Sequence, residues 1–190
     1  MFFLYNYTDA MNISESGQNR EIAALRVTVH VHHLFWSDIC FMDDCEYMMM
    51  ALEEAYKAYD IDEIPVGAVI VLNDTVVSKA HNLKDSSGVV TNHAEILAIE
   101  GANKKIGDWR LNDAIMYVTL EPCPMCAGAI QQSRISKVVY GTSSNSLNNF
   151  KIISSIFNNY ESNHIVEIER STCLNNECQN VINDFFKKIR

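Results

Sequence analysis

The hydrophobic pattern becomes regular at about Glu46 and then changes repeatedly between two periods. From Glu46 to Tyr59 the apolar residues recur at helical spacing. Short apolar runs bounded by polar or turn-forming residues follow, and these are typical of strands. The pattern predicts helix 46–59, strands 65–72 and 75–81, helix 92–105, strand 114–120, helix 124–134, strand 137–141, helix 147–157, strand 164–169 and helix 176–189.

Strands that alternate with helices predict an α/β domain. Parallel strands need a crossover connection, usually a helix, so we expect a largely parallel central sheet. The first two strands are separated only by Asn73-Asp74, which predicts a tight hairpin turn at the start of the sheet. Residues 1–43 have no clean period and are expected to form an irregular N-terminal extension ahead of one domain over 44–190.

Composition and charge narrow the class of protein. The chain is 48% hydrophobic and carries a net charge of −9, which is typical of a globular domain and argues against a large phosphate-binding surface. No apolar run approaches the ~20 residues that cross a bilayer, and the opening "MFFLYNY" has no preceding positive charge. We therefore expect a cytoplasmic protein with no membrane partner, and at most a local basic patch such as the closing "FFKKIR".

Six cysteines suggest metal binding or burial, because disulfides are not expected in the cytoplasm. Two pairs have four-residue gaps, and we interpret them as buried, helix-spaced cysteines rather than a second zinc site. These are Cys40 with Cys45, and Cys173 with Cys178.

The stretch "EPCPMC" at 121–126 predicts a helix that begins with two thiols. Pro124 suits the first helical position, which makes Cys123 the N-cap and leaves Cys126 in the first turn. The unsatisfied N–H groups and positive end of the helix dipole lower a thiol pKa there. Taken alone, the stretch favours a zinc site, with a redox pair or plain buried cysteines as alternatives.

The stretch "TNHAEI" at 91–96 has an ordinary interpretation when taken alone. Asn92 would be the N-cap of a helix, and Glu95 would be the N3 residue of a capping box. His93 would then have no function of its own.

Together the two stretches change this interpretation. His93, Cys123 and Cys126 supply three zinc ligands, and a fourth position left to water is typical of a catalytic site. A carboxylate at Glu95 could then take a proton from that water and pass it to a leaving group. The order His-x-Glu followed by Pro-Cys-x-x-Cys is the known signature of zinc nucleobase deaminases, so we expect one Zn²⁺ per chain.

The wider sequence resembles the bacterial tRNA adenosine deaminases from about Asp44 to Arg190. This resemblance implies a cytidine-deaminase-like fold, a three-layer α/β/α arrangement around a five-stranded mixed sheet. The segments that carry it are "EIPVGAVIV" (63–71), "HAEILAI" (93–99), "YVTLEPCPMCAGAI" (117–130), "SRISKVVYG" (133–141), "NHIVEI" (163–168) and "DFFKKIR" (184–190).

The resemblance also implies an activity and its partners. The family converts adenosine to inosine at the wobble position of a tRNA anticodon, so a tRNA anticodon stem-loop is the expected substrate and a homodimer the expected assembly. Asn82 would hydrogen-bond the flipped adenosine, while Asn163, Phe185 and Phe186 would lie near the anticodon nucleotides. The loop "TSSNSLNNF" departs from the charged, glycine-containing loop usual in the family.

Two other functions remain open at this stage. The acidic net charge favours a deaminase of a free base or nucleoside, such as guanine or cytosine. A non-catalytic zinc-bearing partner subunit would need the three ligands but not Glu95, so the presence of Glu95 favours an enzyme. Phe185 and Phe186 have an equally good interpretation as core residues of the last helix.

Overall fold

The computed structural model describes residues 43–144, 149–159, 162 and 164–190. Several predicted features therefore lie outside the described residues: the extension up to residue 42, which includes Cys40, residues 145–148 of the loop after "VVYG", and Asn163. Every element expected from residue 46 onward is present, and one short helix was not expected. The elements are α1 (Asp44–Asp60), β1 (Gly67–Leu72), β2 (Thr75–His81), the unexpected α2 (Lys84–Ser87), α3 (Ala94–Ile106), β3 (Ile115–Leu120), α4 (Pro124–Gln132), β4 (Lys137–Thr142), α5 (Asn149–Phe157), β5 (Glu167–Arg170) and α6 (Asn175–Lys188).

The strands form a five-stranded mixed sheet in the order β2-β1-β3-β4-β5. β1 and β2 form the predicted hairpin, and both Asn73 and Asp74 have positive φ angles, as a type I′ turn requires. β3, β4 and β5 are parallel, as expected. The antiparallel pairing of β1 with β3 was not expected. The two strands that α3 connects, β2 and β3, do run parallel to each other. They are not neighbours, however, because β1 lies between them and is antiparallel to both.

The two faces of the sheet pack against different helices, which gives the predicted three layers. α3, α4 and α5 cover one face through alternate strand residues such as Ile70, Met116 and Val138. α1 and α6 cover the other face through the intervening residues, including Val69 and Tyr117. This alternation is the period-2 pattern of a strand that is buried on both sides.

A disulfide bond joins Cys45 at the start of α1 to Cys173 before α6, with Cα atoms 5.8 Å apart. The prediction that these cysteines would be unpaired is therefore wrong, because their partner lies 128 residues away and not at the four-residue gap. Cys178 is free and buried, as predicted. Among the described residues, none of the helices is long and apolar enough to cross a membrane.

Candidate metal centre and active site

The N-termini of α3 and α4 bring the predicted metal ligands together. His93 is the N-cap of α3 and Cys123 is the N-cap of α4, each with extended backbone angles. Pro124 occupies the first helical position, as predicted, and Cys126 follows within the first turn. α4 begins shortly after the end of β3, so the parallel sheet edge fixes the position of both thiols.

The three side chains have the spacing of a metal site. Nδ1 of His93 lies 3.7 Å from the sulfur of Cys123 and 3.6 Å from the sulfur of Cys126. Tetrahedral zinc, with Zn–N about 2.0–2.1 Å and Zn–S about 2.3 Å, separates nitrogen and sulfur ligands by about 3.6 Å. Within the described ranges these residues form the one cluster of three potential ligands, so the donor set fits zinc and leaves a position free.

The two thiols have opposite acidities in the protein alone. Hydrogen bonding from Cys126 lowers the pKa of Cys123 to about 5, although burial acts in the other direction. The same hydrogen bond, followed by burial and the nearby Glu95, raises the pKa of Cys126. Of the two thiols, Cys123 therefore loses its proton more readily.

Glu95 lies beside this cluster, in the second position of α3. Its side chain is 4% exposed, and burial raises its pKa to about 7, with the charge of Cys123 acting in the same direction. A carboxyl group with a pKa near 7 can both accept and release a proton at neutral pH.

The capping interpretation of this helix start is wrong. α3 has no side-chain cap hydrogen bond, and its N-cap is His93 rather than Asn92. The Asn92 amide instead donates to Oγ of Ser87 at 2.9 Å. Glu95 therefore occupies N2 rather than N3, and its carboxyl group accepts from its own backbone N–H and does not form a capping box.

Asn82 comes directly after β2 and is 5% exposed. Its backbone N–H donates to the carbonyl of Val66, while the next residue, Leu83, donates to the carbonyl of Asn92. Asn82 is thus joined by main-chain bonds to the segment that leads into His93. Its side-chain amide donates to Oε2 of Glu63 at 2.9 Å.

The two phenylalanines of α6 differ in exposure. Phe185 is 3% exposed and packs edge-on against Tyr59, with ring centroids 6.0 Å apart. Phe186 is 40% exposed. In this structure Phe185 is a core residue, as its alternative interpretation suggested, and only Phe186 presents a ring to solvent.

Glu121 and Asn149 are not among the predicted site residues, although both contact the approach to Cys123. Oε2 of Glu121 accepts from the backbone N–H of Ser144 at 3.0 Å, and Asn149 donates to the carbonyl of Pro122 at 3.1 Å. Both bonds hold the segment after β4 against the "EPC" turn. For Glu121, the sequence signal for this contact was a glutamate directly before a proline.

A cavity of about 670 Å³ lies elsewhere, beside the β1–β2 turn and the start of α1. It is lined by Tyr47, Tyr117 and aspartates that include Asp44 and Asp74. It contains none of the predicted metal or catalytic residues.

Comparison with known proteins identifies the family. Residues 42–190 match the MafB19-like deaminase family. A tRNA-specific adenosine deaminase of Bacillus subtilis is 41% identical over 144 residues, which cover 76% of this chain and 89% of the relative. The chain belongs to the tRNA-specific adenosine deaminase family. Another tRNA-specific adenosine deaminase, from Haemophilus influenzae, is 40% identical over 77% of this chain and 85% of its own length.

Solved structures agree with the deaminase fold. A structure from a study of A-to-I editing by tRNA:A34 deaminases is 35% identical, with a TM-score of 0.63 over 71% of this chain and 97% of that one. A guanine deaminase from Bacillus subtilis is 27% identical, with a TM-score of 0.54 over 75% of this chain and 95% of that one. The predicted resemblance and the predicted deaminase-like fold are confirmed.

Proposed function

We propose that this chain is a zinc-dependent hydrolase that converts adenosine to inosine at the wobble position of a tRNA anticodon. The reaction consumes one water and releases ammonia. Relatives named as tRNA-specific adenosine deaminases support the substrate. The observation that carries the proposal is a buried carboxylate, Glu95, beside a three-ligand cluster of one histidine and two cysteines.

His93, Cys123 and Cys126 would hold one zinc ion, and the N–S separations of 3.6 and 3.7 Å support this assignment. Zinc, when bound, supplies Lewis-acid activation of water near neutral pH. The chain's own contribution is to fix the three donor atoms at two helix N-termini, where they need no rearrangement.

Glu95 would move the protons of the reaction. Its carboxylate takes a proton from the water that attacks C6 of adenine and then delivers a proton to the departing amine. Both transfers need the same carboxyl group to change protonation state during one turnover. Burial favours this because it raises the pKa of Glu95 toward neutral pH. Asn82 would orient the adenine base.

A tRNA anticodon loop suits this site because its bases are single-stranded and can be flipped out at small cost. The described lysines near the chain's C-terminus do not form a free basic surface: Lys187 pairs with Asp184 and Lys188 pairs with Asp62. We therefore infer that recognition depends on shape and base contacts, with Phe186 and Asn163 as RNA contacts, more than on bulk charge.

A free-base deaminase is the second candidate. The guanine deaminase from Bacillus subtilis shares the fold at 27% identity, and the net charge of −9 favours a small substrate. A non-catalytic subunit is disfavoured because it has no use for Glu95 in its buried position.

The test is to incubate the purified protein with total tRNA and, separately, with guanine, cytosine and their nucleosides. Inosine is mapped in the tRNA by sequencing, and ammonia release is followed for the small substrates. We expect inosine at position 34 and no turnover of the free bases. Turnover of a free base without inosine in tRNA would overturn the proposal in favour of the second candidate.

We further propose that residues 44–190 carry the whole activity, that the protein is cytoplasmic and that it forms a homodimer. A chain that starts at Met42 is expected to bind zinc and to deaminate tRNA at the rate of the full chain. Light scattering on that chain tests the dimer. A loss of activity after the truncation would assign a role to the extension.

A further inference from the structure

Glu63 is a buried carboxylate that none of the deaminase motifs assigns to the reaction. Its side chain has 0% exposure, and it lies between the end of α1 and the start of β1. Oε2 accepts from the side-chain amide of Asn82 at 2.9 Å, and Oε1 accepts from the backbone N–H of Ser86 at 2.6 Å. Its two oxygens therefore have separate donors.

This pattern differs from that of Glu54, the other buried carboxylate beside β2. Glu54 is 5% exposed and pairs with Lys57 at 2.6 Å and with His81 at 2.8 Å. Glu54 has basic side chains as its partners, whereas Glu63 accepts from the Asn82 amide and from the Asp85–Ser86 segment. A buried carboxylate is costly without compensating bonds, so each of these bonds matters for Glu63.

The surroundings of Glu63 favour the ionised form of its carboxyl group. Burial acts to raise the pKa of its carboxyl group, but the hydrogen bonds from Ser86 and the backbone of Asp85, together with the charge of Lys84, hold the pKa below its ordinary value. An ionised carboxylate can only accept hydrogen bonds. The atom of Asn82 that faces it must therefore be the nitrogen.

That constraint fixes the orientation of the Asn82 amide. Rotation of the amide by half a turn would place Oδ1 of Asn82 against Oε2 of Glu63, with two acceptors in contact and no hydrogen between them. Among the residues that the structure describes, Oδ1 of Asn82 has no protein donor. One acceptor, Oδ1, and one remaining Nδ2 hydrogen are thus left for another molecule.

We propose that Glu63 is a positioning residue that holds the Asn82 amide in one of its two orientations, so that the adenine base meets a fixed donor and acceptor. This inference rests on the proposed role of Asn82 as a contact to the base. A nucleobase edge is read by its order of donors and acceptors, so an amide free to turn would discriminate less well. Glu63 acts through Asn82 and does not touch the substrate.

The alternative is that Glu63 only fastens the segment between β2 and α3 through Ser86. A double-mutant cycle separates the two roles, because a contact that acts through Asn82 disappears when Asn82 is removed. The variants are Glu63→Gln, Asn82→Ala and the double variant. Gln keeps the volume but has a single acceptor oxygen. If that oxygen keeps the Ser86 N–H, the NH2 group of Gln faces Asn82 and favours the turned amide, in which Oδ1 of Asn82 accepts.

The probe is an anticodon stem-loop RNA with adenosine at the wobble position, and the zinc-loaded full chain is used throughout. We expect Glu63→Gln to lower kcat/KM by about 10- to 100-fold, mainly through KM, which is the usual range for a hydrogen bond to a charged group. In the Asn82→Ala background the same change should have little further effect. Glu54→Gln is the matched control and should leave kcat and KM unchanged.

Equal losses from Glu63→Gln with and without Asn82 would overturn the proposal and leave a structural role through Ser86. If Asn82→Ala itself has no effect while the wild-type protein forms inosine, the inference fails although the proposed function stands. If the wild-type protein forms no inosine, the proposed function itself has failed. Should Glu63→Gln not fold, Glu63→Asp keeps an ionised acceptor on a shorter side chain, and its kinetic loss must also vanish without Asn82 for the proposal to hold.

Discussion

The starts of α1 and α3 look alike in the sequence and differ in the structure. At α1, the side chain of Asp43 accepts from the N–H of Glu46 at 3.0 Å, and the side chain of Glu46 accepts from the N–H of Asp43 at 3.1 Å. This is a complete capping box. At α3, neither Asn92 nor Glu95 makes a cap hydrogen bond.

The difference separates a capped helix start from an uncapped one that holds a candidate metal ligand. Glu46 uses its carboxylate to satisfy a local backbone group on the surface. Glu95 is buried, its pKa is raised to about 7 by that burial, and it faces the cysteine ligands. A buried polar residue at a helix start that forms no capping box is a candidate for chemistry, because its burial is costly without another purpose.

Of the substitutions at the two helix starts and the adjoining site, loss of a proposed metal ligand should lower activity most. Cys126→Ser removes one of the proposed sulfur ligands. We expect zinc to be lost and deamination to fall by at least about 10⁴-fold, the upper end of what an acid–base residue contributes by itself. Elemental analysis and an inosine assay measure the two effects. Cys178→Ala, at another buried free cysteine, is the control and should keep its zinc. Full zinc occupancy in Cys126→Ser would contradict the ligand assignment.

The same substitution at the two glutamates gives the sharpest contrast in activity. Glu95→Gln should keep zinc and lower kcat by about 10²- to 10⁴-fold, because the proton carrier is lost. Glu46→Gln should be nearly silent, since glutamine also serves as the third residue of a capping box. Single-turnover rates on tRNA measure both. Comparable rates for the two variants would mean that Glu95 carries no proton.

Loss of the α1 cap should affect stability and not activity. Asp43→Ala removes the acceptor for the Glu46 N–H and should cost about 0.5–2 kcal/mol in the free energy of unfolding. In a chain of this size each kcal/mol lowers Tm by about 2–4 °C. Thermal unfolding measures the shift. The idea fails if Asp43→Ala is as stable as the wild-type protein.

The smallest effect is expected at Asn92. Asn92→Ala loses the exposed hydrogen bond to Ser87 but no helix cap, so the change in unfolding free energy should stay within about 0.5 kcal/mol. Chemical denaturation of Asn92→Ala and Asp43→Ala side by side compares their unfolding free energies. A loss equal to that of Asp43→Ala would restore Asn92 as the cap of α3.

Local patterns in the sequence predicted most of the elements and the three residues that lie together as potential metal ligands. Pro124 fixed the start of α4 and hence the places of Cys123 and Cys126, because proline is suited to the first helical position. The Asn73-Asp74 turn was also readable, since only a tight turn can join two adjacent strands there.

Contacts between residues that lie far apart in the chain could not be predicted from the sequence. Apolar strand patterns do not tell a parallel from an antiparallel neighbour, so the β1–β3 pairing was missed. The partner of Cys45 lies far along the chain, and nothing in the sequence near Cys173 marks it. The contacts of Glu63 with Asn82 and Ser86 could not be predicted for the same reason, because they form only once β1 and β2 are paired.

The most direct test is the thermal unfolding of zinc-loaded Glu95→Gln beside Asp43→Ala, with inosine formation measured on the same samples. The account predicts a crossed result: Glu95→Gln keeps the wild-type Tm and loses activity, whereas Asp43→Ala keeps activity and unfolds at a lower temperature. A Tm loss in Glu95→Gln equal to that of Asp43→Ala, with deamination intact, would contradict the account and make Glu95 a helix cap.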